Sequence, residues 1–196
     1  MNRSFAAQNL VDCAILSFAD FGYEAASLSD IAERAGIKKP SIYAHFANKD
    51  ALFMAAFDES LEKEKALIKK SFASEMPNDL PGFLYCENSI LHFENDLAAR
   101  FLLRTGFLSP AHLIEQVSER YQEYIAFLKG EYKKSLLNSN VYKVNENNFA
   151  PLWEFFLAVL DSVQVKLMYT TPDESRKRLN ALRYFFAFAL GPFRKS

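Results

Sequence analysis

Apolar residues recur at intervals of three and four along almost the whole chain, and only six glycines interrupt its 196 residues. That spacing follows the 3.6-residue repeat of a helix buried along one side, not the two-residue alternation of a strand, so the sequence predicts an all-α protein of about nine helices. The first helix runs from about Ser4 to Phe21, with Leu10, Ala14, Phe18 and Phe21 on one stripe and Gly22 as its breaker. Ser27 caps the second, Asp30 stands at the capping-box position, and Gly36 ends it. A third helix starts at Lys39 and Pro40 and reaches about Phe46; Asn48 caps a fourth that extends from Lys49 to about Ala73. Further helices are expected at about 82–94, 96–106, 111–137, 149–169 and 173–191. Ser109-Pro110 and Thr171-Pro172 read as start signals, with Glu174 completing a second capping box. "SEMPNDLPGF" is the strongest internal boundary and "NSNVYKVNENN" a polar loop.

Half of the residues are apolar, enough for a sizeable core, and the formal net charge is -1 with a sequence pI of 6.3. A chain of that charge is not a basic body, so any affinity for a polyanion has to come from local charge. The two cysteines, Cys13 and Cys86, lie far apart outside any CxxC pattern, against a disulfide framework or a zinc site and consistent with a reducing cytoplasm. Asp12 interrupts the N-terminal apolar stretch and no cleavage site follows, so no signal peptide is expected. The apolar run from Tyr184 to Phe193 falls well short of the ~20 residues that span a bilayer, so no membrane partner is expected. The histidines, His45, His92 and His112, are widely spaced, and neither GxSxG nor a phosphate loop occurs. The expectation is a non-enzyme without cofactor, catalytic or metal site.

The stretch "DIAERAGIKKPSIYAHF" carries the most specific pattern. Small Ala32 permits close approach of two helices, Gly36 suits the left-handed turn between them, and Ile37 and Ile42 supply the apolar seam. This is helix-turn-helix spacing, in which the second helix enters the major groove. Its open face holds groups for phosphates and base edges: Lys38, Lys39, Pro40, Ser41, Tyr43 and His45, with Lys49 closing the cluster. Cations thus concentrate between residues 38 and 49 of an otherwise neutral chain.

Residues 10–57, above all "FADFGYEAASLSDIAERAG" and "SIYAHFANKDALF", closely resemble the N-terminal DNA-binding domain of the TetR/AcrR family of transcriptional repressors. The resemblance implies a three-helix DNA-binding head over residues 1–50, a connecting fourth helix over 49–73, and an effector-binding and dimerisation body over 51–196. By position, Lys39, Pro40, Ser41, Tyr43, His45 and Lys49 match the family's DNA-contacting residues, along with Ser27 and Ser29 at the start of the second helix. Lys38 stands where many members have a capping serine, which weakens the cap and adds charge.

The implied partners are a palindromic double-stranded DNA operator, a second copy of the chain and a small-molecule effector of unidentified structure. Candidate lining residues of the effector cavity are Tyr85, Cys86, Ser89, His92, Phe93, Phe101, Phe107, Tyr121, Tyr124 and Trp153; few acids fall among them, which favours a lipophilic or aromatic effector. The last two helices carry regular apolar stripes, Leu152, Phe156, Leu160, Val163 and Leu167 on one and Leu179, Leu182, Phe186 and Leu190 on the other. Paired with a symmetry mate these would form a four-helix dimer interface. Two rival readings remain open at this level: an architectural or cell-division DNA-binding factor without a ligand, and redox sensing through Cys86, which requires an exposed, acidic thiol.

Overall fold

A computed structural model of the chain describes residues 3–76 and 78–195; Pro77, within the sequence-predicted boundary, lies outside the described residues. Among those residues the fold is helical, with nine α-helices: α1 (Phe5–Ala25), α2 (Leu28–Arg34), α3 (Lys39–Ile42), α4 (Lys49–Ala73), α5 (Phe83–Asn95), α6 (Leu97–Phe107), α7 (Ile114–Asn138), α8 (Glu146–Tyr169) and α9 (Pro172–Leu190). The one extended pairing is an isolated bridge between Tyr142 and Arg194. No helix among the described residues is long and apolar enough to cross a membrane.

Most boundaries follow the sequence signals, and the exceptions have local causes. Gly22 breaks the helical path as expected, at φ 73°, but a further helical turn continues to Ala25. α3 ends at Ile42 rather than Phe46: Lys38 makes no capping bond, and residues 43–45 close as a turn in which the Ala44 and His45 amides donate back to Ser41 and Ile42. Ser109 does not cap a helix; its hydroxyl donates to the Thr105 carbonyl at 2.9 Å, a 3-10 turn spans Ala111–Leu113, and α7 begins only after it. α8 starts three residues earlier than expected, inside the stretch read as polar loop, because Asn145 and Asn148 cap each other reciprocally. Thr171 caps α9 as expected, whereas the Glu174 carboxylate turns to Lys177 at 2.7 Å.

The chain divides into two compact units, residues 1–64 with 96–122, and residues 65–95 with 123–196. Each unit is assembled from two separate stretches of the chain. The reason lies in α6, whose buried stripe of Ala98, Ala99, Phe101, Leu102 and Thr105 packs against α1. Phe101 meets Phe18 at 5.9 Å and stands edge-on to Phe53 at 5.3 Å, while Phe18 and Phe53 meet at 5.0 Å. These offset and edge-to-face pairings are the favourable geometry for aromatic rings and make one aromatic core for the first unit.

In the second unit α8 and α9 pair along their lengths. Tyr132 of α7 stacks on Phe156 of α8 at 4.2 Å, and Phe186 of α9 packs on Phe83 and Phe155 at 6.1 and 5.5 Å. The turn into α5 passes through Gly82 at φ 78°, where a Cβ would stand 2.4 Å from the Phe156 ring. Glycine is required there twice over, by conformation and by space.

Candidate nucleic-acid interface

The helix-turn-helix unit builds from short-range bonds. Ser27 caps α2 by accepting from the Asp30 amide at 3.1 Å, and Ile31 and Ala32 turn inward. The chain reverses after α2 through Gly36, whose amide donates to the Glu33 carbonyl at 3.0 Å while the Ile37 amide donates to Ala32 at 2.9 Å. Gly36 has φ 70° with nothing within 4 Å of where a Cβ would lie, so the left-handed backbone alone calls for glycine. Asn9 of α1 donates to the Ala35 carbonyl at 3.1 Å and ties the turn to the core. Within α3 only Ile42 is buried.

That single anchor leaves the rest of the segment open. Ser29, Lys38, Lys39, Pro40, Ser41, Tyr43 and His45 are all exposed, and Ser27 is half-buried by its capping role. A four-residue helix followed by a turn therefore displays two ammonium groups, a hydroxyl, a phenol and an imidazole over a short span, each suited to donating to phosphate oxygens or base edges.

Lys49 is placed differently. Its Nζ lies 4.3 Å from the centre of the Tyr23 ring and donates to the Glu24 carbonyl at 3.3 Å, so this cation is already engaged. Beneath it the Tyr23 hydroxyl donates to Asp50, whose Oδ1 also lies 3.2 Å from His112 Nε2. The Tyr23 hydrogen bond, aided by His112, holds the Asp50 carboxyl below the usual carboxylate range; burial and the same carboxylate push the Tyr23 phenol up. Sequence reasoning misses this node because His112 lies 62 residues from Asp50.

Residues 10–56 match the model of the bacterial regulatory proteins, tetR family. The match covers the head alone. Its segment is 43% identical over 53 residues to the HTH-type transcriptional repressor ComR of Escherichia coli (strain K12), covering 27% of this chain and 25% of that protein. It is 44% identical over 52 residues to the A-factor receptor protein of Streptomyces griseus, covering 26% of this chain and 19% of that protein. The matches thus span about a quarter or less of these curated relatives' lengths. Beyond the head the likeness is one of fold: a TetR transcriptional regulator from Chloroflexus aurantiacus J-10-FL superposes with a TM-score of 0.78 at 18% identity, over 97% of each chain.

The candidate cavity residues fall on both units. Tyr85, Cys86, Ser89, His92, Phe93, Tyr124 and Trp153 belong to the second; Phe101, Phe107 and Tyr121 belong to the first, where Phe101 is part of the aromatic core and Phe107 is exposed. The Tyr85 and Tyr124 hydroxyls meet at 2.7 Å, and Ser89 donates to the Cys86 carbonyl at 2.9 Å. Cys86 is wholly buried, and burial pushes its thiol up, the reverse of what redox sensing needs.

The expected dimer stripe requires correction. Leu152, Phe156, Leu160, Val163 and Leu167 of α8, with Leu179, Phe186 and Leu190 of α9, are buried within the single chain, and Leu182 is half-buried. A residue packed inside one protomer offers no face to a second. The regular three-and-four spacing identified the intrachain core, whereas the large apolar residues of α8 and α9 that remain open are Val165, Tyr169, Tyr184, Phe185 and Phe188.

Proposed function

We propose that this chain is a TetR-type transcriptional repressor that binds a palindromic operator as a homodimer and is released by a small effector held in its body. One observation carries the reading: an exposed Lys38, Lys39, Ser41, Tyr43 and His45 cluster on a helix-turn-helix segment, within a domain matched to a DNA-binding family. Its charge is local, which suits a protein of net charge -1 that must find DNA without binding every acidic surface. In this reading Ser27 and Ser29 stand beside the groove and Lys38 and Lys39 meet phosphates.

Two heads are needed to read half-sites about 34 Å apart. The exposed rings of Tyr184, Phe185 and Phe188, which lie within little more than one turn of α9, support a symmetric partner, since clustered exposed rings mark an interaction surface. Effector binding acts through different affinity for the operator-competent and released spacings of the heads. A cytoplasmic location follows from access to DNA.

The test is selection of genomic fragments by the purified chain, followed by titration of the recovered fragment across salt concentrations. A single palindrome bound by a dimer, with affinity falling as a power of salt concentration, supports the proposal. A monomer that retains no fragment at low ionic strength overturns it; many scattered sites with ligand-insensitive binding favour an architectural role.

A further inference from the structure

Within the second unit a cleft of about 370 Å³ opens between the C-terminal end of α4, the segment leading into α5, and the last turns of α7. That volume sits near the lower end of the range for small-molecule sites, roughly 300–1,000 Å³. The cleft shares none of the residues named above for an effector cavity. Its distinguishing group is Glu75, a carboxylate largely withdrawn from water yet set in the cleft wall. Glu75 Oε1 accepts from the Gly82 amide at 2.5 Å and Oε2 accepts from the Ser135 hydroxyl at 2.9 Å. The carboxylate is thereby fixed in position between two elements.

The other charged groups decide the sign of what fits. Lys134 Nζ is 2.6 Å from Glu131, which lines the cleft with it, and Lys69 Nζ lies 5.5 Å from the centre of the Phe127 ring, so both lining cations already have partners. Asp79 also lines the cleft; it accepts from the Met76 amide at 2.8 Å and adds its charge to that of Glu75. A bound anion would face three carboxylates, Glu75, Asp79 and the Lys134-paired Glu131, whereas a cation would be drawn to Glu75, the one in the drier setting. A metal ion is disfavoured, because no group of three or more His, Cys, Asp or Glu side chains among the described residues is disposed to hold one.

The apolar side is aromatic. Phe72 lines the cleft and packs on Tyr85 at 6.3 Å and on Tyr132 at 6.5 Å. Tyr132 is wholly buried behind it, outside the cleft lining, and anchors the Phe72 ring from the core side.

We infer that this cleft binds a small organic monocation, an ammonium group on an aryl or alkyl body, with Glu75 taking the ammonium and Phe72 packing on the body. As an effector site it rests on the regulator reading above; as a binding site it does not. Desolvation raises Glu75 to about 7, with Asp79 adding to the rise and Ser135 and Gly82 opposing it. The buried Cys86 and Tyr132 side chains feel the same carboxylate, while Lys69, Glu131 and Lys134 surround the mouth. Cation affinity therefore rises with pH as Glu75 ionises and levels off above about pH 8.

The experiment titrates the full chain, without DNA, with 2-phenylethylamine, 2-phenylethanol and phenylacetate, following binding by amide chemical shifts at pH 5.5 and 8. The amine, charged at both pH values, is expected to bind at least tenfold more tightly than the alcohol at pH 8, and up to about 30-fold more tightly there than at pH 5.5. Glu75→Gln removes both preferences. Ser135→Ala, which keeps the carboxylate and removes a bond that favours its ionised form, moves the midpoint of the pH dependence upward and keeps the assay decisive should Glu75→Gln fold poorly. Equal or tighter binding of the alcohol or phenylacetate at pH 8, no amine binding at all, or amine binding indifferent to Glu75→Gln overturns the assignment. Operator binding measured separately distinguishes the two failures: a chain that binds DNA and not the amine loses only this site, and one that binds the amine and not DNA loses only the regulator function.

Discussion

Phe186 and Phe188, two residues apart on α9, should answer truncation to alanine in opposite ways. Phe186 is 2% exposed, stacked on Phe155 and packed at a tilt against Phe83, whereas Phe188 is 78% exposed. Removing the Phe186 ring leaves a cavity inside the protomer at a cost of about 3–5 kcal/mol, a large share of the roughly 5–15 kcal/mol that holds a domain folded. Removing the Phe188 ring costs the protomer almost nothing. In a twofold dimer the substitution acts on both chains, so a ring worth about 2 kcal/mol of burial is lost twice. A loss of about 4 kcal/mol corresponds to a dissociation constant raised about 1,000-fold. Sedimentation equilibrium over a wide concentration range reads the association, and circular dichroism melts read the fold. Phe188→Ala should sediment as a folded monomer with unchanged melting in its monomeric range, and Phe186→Ala should melt well below the parent. Should Phe186→Ala weaken association without lowering the melt, while Phe188→Ala leaves the dimer intact, the assignment of inner and outer faces on α9 is wrong.

Gly36→Ala and Gly82→Ala share the left-handed backbone cost of about 1–2 kcal/mol, but only Gly82 has a buried ring, Phe156, 2.4 Å from the new Cβ. Urea denaturation should show Gly82→Ala the more destabilised by a further 1–3 kcal/mol or so, and equal losses would refute the clash. Lys39→Ala should weaken DNA binding across all sequences and lower the slope of log affinity against log salt by about one; an unchanged slope removes Lys39 from the phosphate contacts. Glu75 is raised from 4.5 to about 7 in the folded chain, so its neutral form is favoured by folding, and its own contribution to stability is full below pH 4.5 and is lost as pH rises toward and through 7. The loss is at most about 3 kcal/mol and is read as the difference between the parent and Glu75→Gln across that window; a difference that does not change with pH contradicts the burial of the carboxylate.

Local signals in the sequence carried furthest where one or two residues decide an outcome. Ser27, Asn48 and Thr171 cap the helices they precede, and Gly36 takes the left-handed turn that its place after Ala32 implies. Where two local signals compete, the pattern misleads. Asn145 and Asn148 looked like loop formers because asparagine favours turns, yet their reciprocal bonds start α8. Ser109-Pro110 looked like a cap, but the hydroxyl finds the Thr105 carbonyl first. Long-range pairings left no sequence trace: neither the Tyr23–Asp50–His112 contact nor the Glu75–Ser135 bond follows from spacing. The dimer stripe failed for a related reason. Periodicity reports that a helix face is buried and is silent on whether a neighbouring helix or another chain buries it, so the most regular stripe belonged to the core and the irregular one stayed open.

Lys49 shows why a match by position does not assign equal energies. Lys38 and Lys39 stand exposed on the turn and the start of α3, free to give up hydration for phosphate. Lys49 must also leave the Tyr23 ring and the Glu24 carbonyl, contacts whose cation–π part is worth about 0.5–1 kcal/mol at a partly exposed site. It lies next to Asp50 as well, whose negative charge is stabilised by Tyr23 and His112 and opposes a phosphate approaching that end of α4. Both effects reduce the net gain from a phosphate contact, so Lys49→Ala should lower operator affinity several-fold less than Lys39→Ala at the same salt. Asp50→Asn should recover part of that difference by removing the opposing charge. Fluorescence anisotropy of a labelled operator with Lys39→Ala, Lys49→Ala and Asp50→Asn chains measures all three, and a Lys49→Ala loss equal to or greater than that of Lys39→Ala would mean the Tyr23 contact does not restrain the ammonium when DNA is bound.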